Sequence, residues 1–113
     1  MQPRMGGLIQ VNIADRATLL ASYMPYVIGG GLFVPSKNPV KMGDEVFVLA
    51  GLPEQAQKTP LTGKVIWISQ KQNGIKPQGF AIQLIGEKGI YYKMEVEKLL
   101  AGSLSLDRPN FTM

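Results

Sequence analysis

The chain contains no cysteine and no histidine among its 113 residues. Without cysteine there is no disulfide and no thiolate nucleophile, and the composition fits a reducing compartment. Without histidine there is no Ser-His-Asp triad, no His-ligated zinc and no imidazole base. No apolar run approaches the ~20 residues of a membrane span. The first residues, Met1-Gln2-Pro3-Arg4-Met5-Gly6-Gly7, lack the apolar core of a signal peptide. A soluble, cytoplasmic protein is expected.

Clustered charge is also missing. The net charge is +4, from 12 Lys+Arg against 8 Asp+Glu. The basic residues Arg4, Arg16, Lys37, Lys41, Lys58, Lys64, Lys71, Lys76 and Lys88 are scattered. A nucleic-acid interface needs them grouped, so they read as solvated surface charge. The close acidic pairs are no better placed for chemistry. Asp44 and Glu45 are neighbours on an expected strand start and point to opposite faces. Glu95 and Glu97 are two apart on an expected helix and do not face each other. No acidic loop could build an all-oxygen metal site. No cofactor and no enzymatic activity are expected.

What the chain does have is a glycine-rich turn between two apolar blocks, Tyr23-Met24-Pro25-Tyr26-Val27-Ile28-Gly29-Gly30-Gly31-Leu32-Phe33-Val34-Pro35-Ser36. The glycines tolerate positive φ and allow a sharp turn. Leu32-Phe33-Val34 then has strand character, and Pro35 ends it or confines it to an edge. A phosphate-binding loop would need a helix after the glycines and a Lys-Ser/Thr pair, and neither is there.

Ahead of this turn, Ile9, Val11 and Ile13 alternate with polar residues, as in a half-buried strand. Asp15 is placed to cap a short helix over residues 16–21, which Pro25 keeps from extending. After the turn, Gly43-Asp44 signals a turn and residues 45–50 a central strand. Residues 51–60 read as a loop and 61–70 as the longest strand, with Gly63 marking a bulge or bend. Asn73-Gly74 signals a hairpin leading into a strand carrying Phe80, Ile82 and Leu84. Residues 87–101 read as a helix with Tyr92, Val96, Leu99 and Leu100 on one stripe, Ile90 and Met94 on a second, and Gly102 as its stop.

These five or six short strands and two helices predict a mainly β fold, a small closed or nearly closed antiparallel barrel whose last helix covers one face or end. One domain is expected over residues 1–102, with a flexible tail over 103–113. Trp67, Phe47 and Phe80 are expected in the core. Such a barrel has more apolar side chains than it can bury, so Tyr23, Met24, Tyr26, Ile90 and Met94 are open to either core or interface.

Several segments together carry a family resemblance. They are Tyr23-Met24-Pro25, Gly30-Gly31-Leu32-Phe33-Val34-Pro35, Gly43-Asp44-Glu45-Val46-Phe47, Gly63-Lys64-Val65-Ile66-Trp67, Leu100-Ala101-Gly102, Asp107-Arg108-Pro109 and Thr112-Met113. The chain resembles the type IV pilus assembly branch of the PilZ-domain family. That resemblance implies a six-stranded β-barrel with a C-terminal helix. The wider family binds cyclic di-GMP through an RxxxR motif before the barrel and a (D/N)xSxxG motif ahead of a Gly-Leu-Phe strand. Here Arg4 is followed four residues on by Leu8, and Arg16 by Leu20. With Gly31 as the motif glycine, Tyr26 stands in the Asp/Asn place and Ile28 in the Ser place. Each polar group of the nucleotide left unpaired there would cost roughly 1–3 kcal/mol. Cyclic di-GMP binding is therefore not expected. The alternative is a receptor for that nucleotide using non-standard residues.

The branch implies a non-enzymatic adaptor in pilus biogenesis and twitching motility. Its implied partners are the pilus assembly ATPase PilB and a degenerate GGDEF–EAL regulator, FimX. Expected contact residues are Tyr23, Met24, Pro25 and Tyr26, with Leu104, Leu106, Phe111 and Met113 of the tail second. Neither nucleic-acid binding nor direct membrane insertion is expected.

Overall fold

The computed structural model describes residues 9–69 and 78–101. The hairpin signal Asn73-Gly74, the stop at Gly102, Arg4 and the tail residues Leu104, Leu106, Phe111 and Met113 lie outside the described residues.

The chain enters as β1 (Ile9–Asn12) and turns into α1 (Arg16–Ser22), where the Asp15 carboxylate accepts the Thr18 N–H at 2.7 Å. That bond satisfies one of the orphan donors of the first helical turn. It also holds the Asp15 carboxyl below its ordinary pKa. Five strands follow, β2 (Tyr23–Met24), β3 (Gly31–Pro35), β4 (Glu45–Gly51), β5 (Thr59–Ser69) and β6 (Gly79–Ile85), and then α2 (Gly86–Leu99). The six strands form one sheet in the order β1-β4-β5-β6-β3-β2, curled into a half-barrel.

The β4–β5, β5–β6, β3–β6 and β2–β3 pairs are antiparallel, as expected. The β1–β4 pair is parallel, Ile9 opposite Val48 and Val11 opposite Ala50. The helix and the glycine turn that separate these strands in sequence give the chain room to return in the same direction. β4 lies between β1 and β5, which explains why its later half is apolar on both faces.

Alternation assigns the faces. The concave face carries Leu32, Val34, Val46, Val48, Leu61, Val65, Ile82 and Leu84, joined by Ile9 and Val11 of β1, Leu19 of α1 and Tyr23 of β2. Helix α2 closes this core with Tyr92 and Val96, joined by its C-cap residue Leu100, and Leu99 packs at the edge. Fully burying side chains of this size contributes about 1.5–3 kcal/mol each. Gly63 sits where β5 meets Ile82: a Cβ there would lie 2.7 Å from the Ile82 Cβ. The glycine thus marks a close approach of two strands. The irregularity in β5 falls later, between Val65 and Trp67, and not at Gly63.

The Tyr92 side chain is fully buried, and its hydroxyl finds no hydrogen-bond partner among the described residues. Burial keeps this phenol protonated well above the ordinary tyrosine range. Tyr92→Phe removes an unpaired polar group without emptying the site. Chemical denaturation should show stability unchanged or raised by up to about 1 kcal/mol, whereas Tyr92→Ala should cost about 3–5 kcal/mol.

Two core expectations need correction. Phe47 is 54% exposed, because its neighbours Val46 and Val48 take the inward positions of β4 and leave it on the convex face. Trp67 is half-buried, also on the convex face, with its ring 6.2 Å from that of Phe33 in an edge-on contact. Phe80 is buried as expected. Strand β5 begins at Thr59 within the expected loop. Pro60 is tolerated there because β6 starts pairing only at Thr62, so this end of β5 has β4 alone beside it.

Candidate functional site

The loop between β2 and β3 is fixed by backbone bonds at both ends. Val27 N–H donates to the Met24 carbonyl at 3.3 Å, and Gly30 N–H to the Val27 carbonyl at 2.8 Å. Gly29 and Gly30 take φ of +81° and +92°, the left-handed region in which a side chain is strained. Gly31 has already entered β3. The Leu84 N–H donates to the Gly30 carbonyl at 3.0 Å, and the Gln83 side-chain amide donates to the Ile28 carbonyl at 2.9 Å. The loop backbone is thereby tied to β6.

Those side chains divide sharply. Tyr23 and Met24 form β2 and are buried, Tyr23 on the concave face. The Tyr23 hydroxyl donates to the Glu97 carboxylate of α2 at 3.3 Å. Burial first, and the Glu97 charge second, hold this phenol protonated beyond the ordinary tyrosine range. Met24 packs over Gly31, where an added Cβ would meet the Met24 Cε at 2.8 Å. Pro25 and Val27 are half-buried. Tyr26 is 44% exposed and Ile28 is 86% exposed. Of the four contact residues expected here, the structure sets Tyr23 and Met24 inside, Pro25 at the margin and Tyr26 outside.

Strand register extends this apolar surface. Phe47 pairs with Thr62, and Thr62 with Ile85, so the three form one row across the convex face. Ile85 and Gln83 share that face of β6, and Gln83 is the residue that holds the Ile28 carbonyl. Ile28, Ile85 and Phe47 are all exposed. Ile85 and Phe47 escaped the sequence reading. The alternation Val46, Val48, Ala50 carried the signal for Phe47, but the register that aligns it with Ile85 is not visible in a single strand.

Among the described residues, most of the charged side chains with a partner are paired with one another. Lys64 is exposed and pairs with Gln83, itself engaged with the loop. The Arg16 guanidinium on α1 is 3.0 Å from the Glu54 carboxylate. Glu95 accepts from Gln55 and Lys98, while Glu97 accepts from Tyr23 and pairs with Lys93, so the two carboxylates serve different neighbours. Among the described residues no three acidic side chains gather as a metal site, and no helix is long and apolar enough to cross a membrane. Surface grooves of about 460 Å³, beside Lys58, Lys88 and Tyr91, and about 270 Å³, beside Lys37 and Ile68, lie away from residues 25–30. The loop therefore offers an aromatic ring and an aliphatic side chain, with the Val27, Ile28 and Gly30 carbonyls already engaged, which suits apolar contact.

Comparison with known proteins adds one finding. A family model described as PilZ domain matches residues 2–100. No curated protein matches the chain.

Proposed function

Because the chain belongs to the PilZ domain family, we propose that it is a non-enzymatic adaptor of type IV pilus biogenesis and twitching motility. PilZ domains are non-enzymatic protein-interaction and cyclic di-GMP-binding modules, so the family leaves both an adaptor and a nucleotide receptor open. One observation favours the adaptor. The positions that carry the family's polar motif hold Tyr26 and Ile28, and both face outward on a loop tied to β6. A nucleotide would trade its hydration there for apolar surface. A protein partner would bury that surface, with Ile85 and Phe47 beside it, at a gain.

The partners are a PilB-like pilus assembly ATPase and a degenerate GGDEF–EAL protein of the FimX type, which senses the nucleotide in place of this chain. Tyr26 and Ile28 form the centre of the contact, and Pro25 its margin. Tyr23 and Met24 support the loop from below. The tail residues Leu104, Leu106, Phe111 and Met113 give a second apolar segment for a partner to bury. The test is capture of purified ATPase and purified GGDEF–EAL protein by the immobilised chain. Stoichiometric capture of at least one supports the reading, and failure to retain either overturns it.

A further inference from the structure

Helix α2 carries a second apolar surface that the adaptor loop does not use. Tyr92, Val96 and Leu100 turn inward. On the opposite side, Glu87, Tyr91, Met94 and Lys98 follow one another at spacings of four, three and four, which keeps them on one face of an α-helix. Ile90 flanks this row. Ile90, Tyr91 and Met94 are 62%, 49% and 57% exposed. The row is apolar in the middle, acidic at its N-terminal end and basic at its C-terminal end.

That order matches its own reverse. When two such helices lie antiparallel with position 87 opposite 98, position 91 falls opposite 94. One register brings Tyr91 of each copy against Met94 of the other and Glu87 of each against Lys98 of the other. The charges sit roughly 16 Å apart along the axis, one pair at each end of the apolar patch. A parallel pair would set Glu87 against Glu87 and Lys98 against Lys98, which is repulsive. Antiparallel packing also opposes the two helix dipoles.

The charged groups are free to make the exchange. Glu87 makes no ion pair among the described residues. The Lys98 side chain is 72% exposed and lies 3.2 Å from Glu95. Glu95 also accepts the Gln55 amide at 3.0 Å, so it keeps a partner when Lys98 swings outward.

We propose that α2 is a self-association surface, on which a second copy of this chain docks its own α2 antiparallel about a two-fold axis. The contact is isologous, as a closed dimer requires. Contact along about three helical turns is smaller than the ~800 Å² per partner of a standard interface, so the dimer is weak, with a Kd of about 100 µM. It leaves Tyr26 and Ile28 outside the contact, and it would give each assembly two adaptor loops.

Sedimentation velocity over roughly 5 µM to 1 mM is the test. The wild-type chain should pass from monomer to dimer across that range. Met94→Asp should keep it monomeric. Glu87→Lys alone and Lys98→Glu alone should each raise the Kd about tenfold or more, and the two together should restore the wild-type Kd. All three positions are exposed, so every variant should stay folded, with the two charge reversals lowering the melting temperature by a few degrees at most because they oppose the helix dipole. A wild-type monomer at about 1 mM overturns the proposal and leaves the face to a different protein. Dimerisation that survives Met94→Asp, or a double variant that fails to recover, overturns the antiparallel α2 pairing.

Discussion

Ile28→Asp is expected to weaken partner capture by about 30-fold or more while leaving the melting temperature unchanged. The size follows from what the side chain does in each state. In the free chain Ile28 is 86% exposed. Its anchoring contact is made by its backbone carbonyl, which Gln83 holds. Removing the side chain costs the fold almost nothing. In a complex it would be buried, a contribution of about 1.5–3 kcal/mol for an isoleucine. A carboxylate in its place would have to be desolvated as well. A loss of at least about 2 kcal/mol corresponds to the 30-fold change. Surface plasmon resonance against the captured partner, with calorimetric unfolding in parallel, gives both readings. Equal affinity for wild type and Ile28→Asp would remove the loop from the interface.

Tyr23→Ala is expected to act through the fold, lowering stability by about 3–5 kcal/mol, as for other large buried aromatics. Tyr23 is 1% exposed and fills the concave core beside α2. Its loss opens a cavity beneath the glycine loop, where Gly30 passes close to the Tyr23 ring. The phenol adds a pH dependence. In the folded chain its pKa is raised, by burial first and by Glu97 second, above the ordinary value of 10.0. An upward shift in the folded state stabilises below the unfolded pKa and is lost as pH rises through the folded one. Wild-type stability should therefore fall above about pH 10, and Tyr23→Phe should flatten part of that fall. Urea titrations at neutral and alkaline pH measure both effects. At a temperature where Tyr23→Ala remains folded, it should still capture the partner, which separates it from Ile28→Asp.

Tyr23 and Ile28 also show how far the sequence could be read. The strands announced themselves by alternation, as in Ile9, Val11 and Ile13, and α1 by Asp15 ahead of an apolar turn. The stripe Tyr92, Val96, Leu100 placed α2 on the core. The glycine turn was legible because Gly29 and Gly30 allow what other residues resist. The parallel β1–β4 pair was not, since no local pattern reports the direction of a distant strand. Nor was the division inside Tyr23-Met24-Pro25-Tyr26. Four apolar residues in a row have no period. Only pairing of Tyr23 with Leu32 and Met24 with Gly31 determines which are covered. Phe47 differs: Val46, Val48 and Ala50 take the inner face of β4 by alternation, so the aromatic between them points outward although its residue type suggests core.

On the proposed function, the loop over residues 25–30 holds proteins and not the cyclic dinucleotide associated with the wider family. Titration calorimetry of the purified chain with cyclic di-GMP addresses it directly. No saturable heat is expected at nucleotide concentrations up to about 100 µM if the loop excludes the dinucleotide. Saturable micromolar binding that is lost on Ile28→Asp would contradict it.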